Sequence, residues 1–175
     1  VKGFELDVLD VGQGDGMYLH TKEGTNFFFD GGSTDVSKVG TYRMLPFLKA
    51  KGVKKIDYWI VSHTDADHIS GLKEILQAEY EINHIVFSKY VLNDEAYQEL
   101  LALAKTYGTE ILKMDCGDTL TDGEAGLRCI FPDKTYKSDD KNALSLVLRY
   151  EDQEFSGIFT GDISSAEERY LVEHK

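Results

Sequence analysis

Apolar residues alternate along the first strand-like stretch, with Phe4, Leu6 and Val8 on one side of residues 4–11, the two-residue period of a half-buried strand. A glycine-punctuated turn follows, Gly12-Gln13-Gly14-Asp15-Gly16. Two short strands are expected next, over residues 17–21 and 26–30, divided by a turn at Glu23-Gly24. The period then lengthens. Met44, Leu45, Phe47 and Leu48 predict a helix over 41–51 that stops at Gly52, and Leu72, Ile75 and Leu76 predict another over 69–80. Between them Tyr58-Trp59-Ile60-Val61 is a short unbroken apolar run, the pattern of a buried strand. A strand is expected over 82–87, then a helix over 93–107, capped by Asn93 or Asp94 and ended by Gly108. Strands follow over 110–114, 126–131, 144–150 and 154–159, before a last helix from Ser164. That order predicts an α+β fold, a mixed sheet with helices on its outer face.

The 175 residues suffice for one domain with a real core and not for two comfortable ones. Hydrophobic residues at 42% and charged residues at 29% give an ordinary globular balance. No apolar run is long enough to predict a membrane span, and no signal peptide is visible. The sequence opens on Val1, which fits a piece of something larger. A formal charge of −12 argues against a broad basic surface for nucleic acid. It suits a chain that gathers carboxylates around cations. Cys116 and Cys129 are too few for a disulfide scaffold and lack CxxC spacing, so two semi-buried thiols are expected.

The segment His63-Thr64-Asp65-Ala66-Asp67-His68 offers four metal-binding side chains in six residues, at a strand–loop–helix junction. Imidazole and carboxylate bind borderline and hard divalent ions, and in an extended stretch His63, Asp65 and Asp67 point to one side. A polar loop that merely caps a helix is the plainer alternative; four such groups at this junction favour metal. Asp162, in Phe159-Thr160-Gly161-Asp162, is a weaker signal, and its value lies in bridging cations beside the first motif. Asp30, before Gly31 and Gly32, is expected to act structurally, as a partner behind a ligand histidine. The Asp10-to-Gly16 turn has neither the Lys-Ser/Thr of a P-loop nor a dinucleotide spacing, so it is not read as a phosphate cradle. Lys134, Lys137 and Lys141 could form a basic lip, although a solvated lysine loop is the commoner meaning of such a run.

Together these motifs resemble the metallo-β-lactamase domain of the ComEC family of DNA-internalization proteins. The match includes Asp10 to Gly16, Asp30-Gly31-Gly32, His63 to His68 and Thr160-Gly161-Asp162, with Asn142-x-x-Ser145-Leu146-Val147-Leu148, Val39-Gly40 to Lys49 and Ser70-Gly71-Leu72. The resemblance implies an αββα sandwich over residues 1–175. It implies two divalent ions, Mn²⁺ or Zn²⁺ with Mg²⁺ as a third choice. His63 and Asp65 would belong to one position, Asp67 and His68 to the other, with Asp162 bridging, Asp67 catalytic and Asn142 a further candidate ligand. Asp65 stands where the general superfamily has a histidine, a change that hardens the site towards Mn²⁺ or Mg²⁺. In the family a His-His-Gly-Ser segment closes the site downstream; the sequence ends at Lys175, and His174 is too near Asp162 for that part. The expectation is therefore a domain incomplete in its C-terminal part, with weak metal binding and reduced or absent activity.

The function implied is a nuclease that degrades the non-transported strand of incoming DNA, with single-stranded DNA as substrate. It would sit on the outer face of the bacterial cytoplasmic membrane, joined to a membrane channel outside this sequence. A soluble form, exported or cytoplasmic, is the alternative location. Two rival functions remain: a hydrolase of the same fold for a small phosphodiester, thioester or lactam, and a metal-free structural or interaction module.

Overall fold

The computed structural model describes residues 3–174; Val1, Lys2 and Lys175, on which the expectations about the chain's ends rest, lie outside the described residues. Six strands form the first sheet in chain order: β1 (Glu5–Val8), β2 (Gly16–His20), β3 (Asn26–Asp30), β4 (Lys55–Ile60), β5 (Glu81–Ser88) and β6 (Glu110–Met114). The first three pair antiparallel, and β3 to β6 run parallel. Each parallel crossover carries a helix: α1 (Leu45–Ala50), entered through a π-helical turn at Gly40–Met44, then α2 (Ala66–Gln77) and α3 (Glu95–Tyr107). The second sheet is antiparallel, in the order β10-β9-β8-β7, built from β7 (Thr119–Asp122), β8 (Ala125–Phe131), β9 (Val147–Glu151) and β10 (Ser156–Phe159). The last helix, α4 (Ser165–His174), lies beside it, with Tyr170 against Phe131 and Tyr136.

Strand alternation sorts the first sheet's side chains into two cores. Phe28 stacks on Trp59 at 4.3 Å between ring centroids, on the face that α1 to α3 cover with Met44, Leu48, Leu72, Ile75, Leu76 and Leu100. Phe27, Phe29, Ile60 and Val86 point the other way, against Leu127, Cys129, Leu148, Tyr150 and Phe159 of the second sheet. Phe29 and Phe159 stack across the gap at 3.8 Å. The layers are therefore helices, sheet, sheet and one helix. Among the described residues no helix is long and apolar enough to cross a membrane.

Several boundaries differ from the sequence pattern for local reasons. Residues Asn142–Leu144 form a 3₁₀ turn, so β9 starts at Val147 rather than 144, and the Leu146 amide bonds Ser62 O at 2.8 Å. Asp152 accepts from the amides of Glu154 and Phe155, holding a tight turn that delays β10 to Ser156. Strand β7 was not expected: its four residues carry one apolar side chain, Leu120, and they hold a hairpin edge with β8. Of the two cap candidates for α3, Asp94 does the capping, accepting from the Tyr97 amide at 2.8 Å, and Gly108 ends the helix in the left-handed region. The two thiols donate to backbone carbonyls, Cys116 to Ile130 and Cys129 to Phe131.

Candidate metal centre

The site forms where three chain segments meet at the carboxyl end of β4. Val61 extends the pairing with β5 by one more bond, to Val86 O at 2.9 Å, and residues 62–65 then cross the sheet end before α2 begins at Ala66. Asp30, the last residue of β3, adopts a left-handed backbone (φ 56°). Its carboxylate turns back to accept from the Ser62 amide at 2.8 Å and lies 3.1 Å from His68 Nδ1. The second sheet contributes Asp162 just after β10. Gly161 makes that delivery possible: at φ 55° an added Cβ would stand 2.7 Å from Ser62 Cβ, so only glycine lets the turn lie this close to the metal loop. Ser145 Oγ accepts from the Asp162 amide at 3.3 Å, fixing the turn from the other side.

His63, His68 and Asp162 present ligand atoms that all lie within 4.8 Å of one another. The two imidazole centroids are 4.1 Å apart, and His68 Nε2 is 3.2 Å from Asp162 Oδ2. Ser62 Oγ, at 3.0 Å, and Ser145 Oγ, at 3.4 Å, flank His63 Nδ1. His63 Nε2 is buried with no hydrogen-bond partner, in a residue only 3% exposed. A buried polar atom left bare costs about 1–3 kcal/mol. Two imidazoles and a carboxylate converging around such an atom are a donor set suited to a divalent cation, so the residues fit the metal that the resemblance implies.

The electrostatics around the two histidines differ. Burial pushes His63 below the ordinary imidazole value, helped by the nearby His68. Burial also works against a charge on His68, but the Asp30 carboxylate bonded to it, with Asp162 and Asp15, outweighs burial and holds its pKa up at about 9. Asp15 is itself pushed up by burial and by the neighbouring charges of Asp30, Asp162 and Asp67.

The remaining predicted residues divide. Asp30 stands behind His68, and a second set of ligand atoms within 4.8 Å joins Asp15, Asp30 and His68. Asp65 has one oxygen 3.6 Å from His63 Nε2, while the other is 3.1 Å from Lys141 Nζ. Asp67 sits half-buried in the first turn of α2; its carbonyl accepts from the Asp15 amide, and it belongs to neither three-ligand set. Asn142 bonds through its backbone, to Asp140 and Ser145. His174 stacks on Tyr170 at the far end of α4. Of the lysine loop, Lys137 lies over the Tyr90 ring and Lys141 bridges Asp65 and Asp94. Asp15, Ser62 and Ser145 were not read as site residues from the sequence, and Lys141 was read only as part of a basic lip, not as a partner of Asp65. Asp15 was hidden in a glycine turn, and the serines touch the site only through the fold.

The profile of the metallo-beta-lactamase superfamily matches residues 9–93, the stretch that contains Asp15, Asp30 and the whole metal loop. Over that stretch the chain carries a metallo-beta-lactamase domain. It is 30% identical to ComE operon protein 3 of Bacillus subtilis over 96% of its own length and 23% of that protein's. It is 32% identical to Recombination protein 2 of Haemophilus influenzae over 49% of its length and 11% of that protein's. Both carry ComEC-family names, and the domain is of that family's type; the chain spans less than a quarter of either relative. Solved structures with the same fold include CmlA, a diiron beta-hydroxylase from Streptomyces venezuelae (TM-score 0.60, 17% identity, 99% of this chain and 33% of that one). YhfI from Bacillus subtilis is similar (TM-score 0.60, 16% identity, 93% and 65%). So is Zn(2+)-bound PqqB from Methylobacterium extorquens (TM-score 0.57, 7% identity, 83% and 52%). Superfamily members of this fold carry divalent metal, iron in the first and zinc in the last.

Proposed function

We propose that this domain is a metal-dependent phosphodiester hydrolase whose substrate is single-stranded DNA, serving DNA uptake as part of a larger membrane protein. The observation that carries the reading is the convergence of His63, His68 and Asp162 around a buried, partnerless imidazole nitrogen. A module that had given up metal would gain nothing by keeping that atom bare. The similarity to ComE operon protein 3 and Recombination protein 2 supports DNA as the substrate over a small ester or lactam. By the same similarity the domain would face outward from the cytoplasmic membrane.

His63, His68 and Asp162 would hold the cation, with Mn²⁺ or Zn²⁺ the favoured ions. When bound, a divalent ion supplies Lewis-acid polarisation of the phosphoryl group and acidifies a water. The chain's own part is positional. Asp30 holds the Nδ1 edge of His68 and so directs Nε2 towards Asp162. Ser62 and Ser145 do the same for the Nδ1 edge of His63. Asp67, half-buried in the first turn of α2 and a charged neighbour of Asp15, is the carboxylate assigned to catalysis. Its test is direct. With Mn²⁺ the purified full-length domain, extended past Lys175, should cut single-stranded DNA, its His68→Ala and Asp67→Ala forms should not, and equal cutting by all three would overturn the assignment.

A further inference from the structure

We infer that Lys141 is a positioning residue of the centre: it takes one oxygen of Asp65 and so turns the other towards a cation at His63 Nε2, while Asp94 anchors its ammonium from behind. The inference rests on the metal reading of His63, His68 and Asp162, and makes Asp65 a further donor to that set.

Asp65 stands at the position that caps α2, with the extended backbone of a cap (φ −75°, ψ 152°). An aspartate there ordinarily bends back to accept from an amide of its own helix. This one makes no such bond. Its Oδ1 lies 3.1 Å from Lys141 Nζ, and its Oδ2 lies 3.6 Å from His63 Nε2, the buried nitrogen with no hydrogen-bond partner. Two donors each about 2.1 Å from one tetrahedral ion stand about 3.4 Å apart, so the two atoms are spaced to share a cation. The last torsion of an aspartate is soft. Without a fixed partner the partly exposed carboxylate would be free to swing onto the helix end.

Lys141 can fix it because the lysine is itself held. Asp94 Oδ2 lies 2.7 Å from Nζ, and the same carboxylate caps α3 through the Tyr97 amide and accepts from Thr64 Oγ1 at 3.1 Å. The Lys141 backbone opens the 3₁₀ turn at Asn142–Leu144, its carbonyl accepting from the Leu144 amide at 3.0 Å. Leu144 is buried, and Ser145 after it flanks His63 Nδ1. The ammonium therefore reaches the metal loop from a direction set by α3 and by the 132–146 segment together. Partners that orient a ligand from behind matter to binding: their loss typically costs about 10–100-fold in metal affinity.

The experiment measures Mn²⁺ affinity and metal-free stability side by side on the domain extended past Lys175, by electron paramagnetic resonance of free Mn²⁺ and by thermal unfolding. Lys141→Met keeps an apolar stem and removes the charge. It should bind Mn²⁺ about tenfold more weakly or worse, yet unfold at the wild-type temperature or above, because the freed Asp65 can now cap α2. Lys141→Arg should keep most of the affinity. Asp65→Ala should still bind, more weakly, through the other three residues, and adding Lys141→Met to it should cost nothing further. An ion pair that only supports the fold would behave in the opposite way, with stability falling and affinity unchanged. That result on Lys141→Met, a second loss of affinity in the double variant, or no Mn²⁺ on a folded Asp65→Ala would each overturn the inference. If Lys141→Met does not fold, Asp94→Asn takes its place, since asparagine also caps a helix but leaves the ammonium unanchored; wild-type affinity there would overturn the inference as well. A wild type that binds no Mn²⁺ would remove the metal reading itself, and this inference with it.

Discussion

His68 is held between carboxylates on both edges, Asp30 at Nδ1 and Asp162 at Nε2, and this fixes how proton and metal compete for the ring. Its pKa of about 9 lies above the ordinary 6.5. In the metal-free fold the proton on His68 therefore contributes stability that is fully present below pH 6.5 and is lost as pH climbs through about 9. A cation needs the same nitrogen unprotonated. Apparent Mn²⁺ affinity should accordingly rise across the interval from 6.5 to about 9, checked by titrations at several pH values; a flat profile would contradict it. Asp30→Asn removes the charge behind the ring, and losing such a partner typically costs about 10–100-fold in metal affinity. The same titration at fixed pH reads that loss. At this level the sequence was legible where chemistry clusters locally, as at residues 63–68. It named Asp15 and Ser145 only within motifs and Lys141 only as part of a basic lip, because their neighbours at the centre come from distant strands and loops. It assigned Asp65 to metal without showing that one of its oxygens bonds Lys141 while the other lies near His63 Nε2.

Helix α3 carries the clearest link between an element and the site. Asp94 caps it, and the same carboxylate accepts from Thr64 and Lys141, so one side chain joins the helix end to the metal loop. Replacing a capping Asp with Ala costs about 1–2 kcal/mol. Asp94→Ala should lower the unfolding free energy by that order in urea denaturation while the sheet content in circular dichroism persists. A variant as stable as the wild type would show that the cap contributes nothing. Element prediction succeeded where apolar periodicity was strong, as in α2, α3 and the run through Trp59. It failed on β7, whose four residues offer little apolar signal and which exists by pairing with β8. It also missed the π-helical turn at Gly40–Met44, where a close approach to α2 reshapes the chain: a Cβ on Gly40 would meet Gly71 O at 2.5 Å.

Taken as one body, the chain is acidic, at −12, and in the 132–146 segment Lys137 and Lys141 already have partners. Substrate DNA would therefore be gripped at few phosphates. With about three phosphates neutralised, the logarithm of affinity for single-stranded DNA should fall with the logarithm of salt at a slope of about −2. A much steeper slope in fluorescence-anisotropy titrations would show a broad basic face that this surface does not have. The α+β class, a mixed sheet with helices on its outer face, was readable from the order of strands and helices, and the four-layer sandwich came from the resemblance. The meeting of Asp162 with the metal loop was expected as a weaker signal and through the resemblance; what the sequence did not show is that it depends on Gly161 letting the second sheet approach Ser62. That meeting is the claim on which the rest depends, and anomalous scattering at the manganese edge from crystals soaked in Mn²⁺ tests it most directly. The account predicts a peak bounded by His63 Nε2, His68 Nε2 and the Asp162 carboxylate; a peak elsewhere, or none in a crystal whose three side chains are ordered, would contradict it.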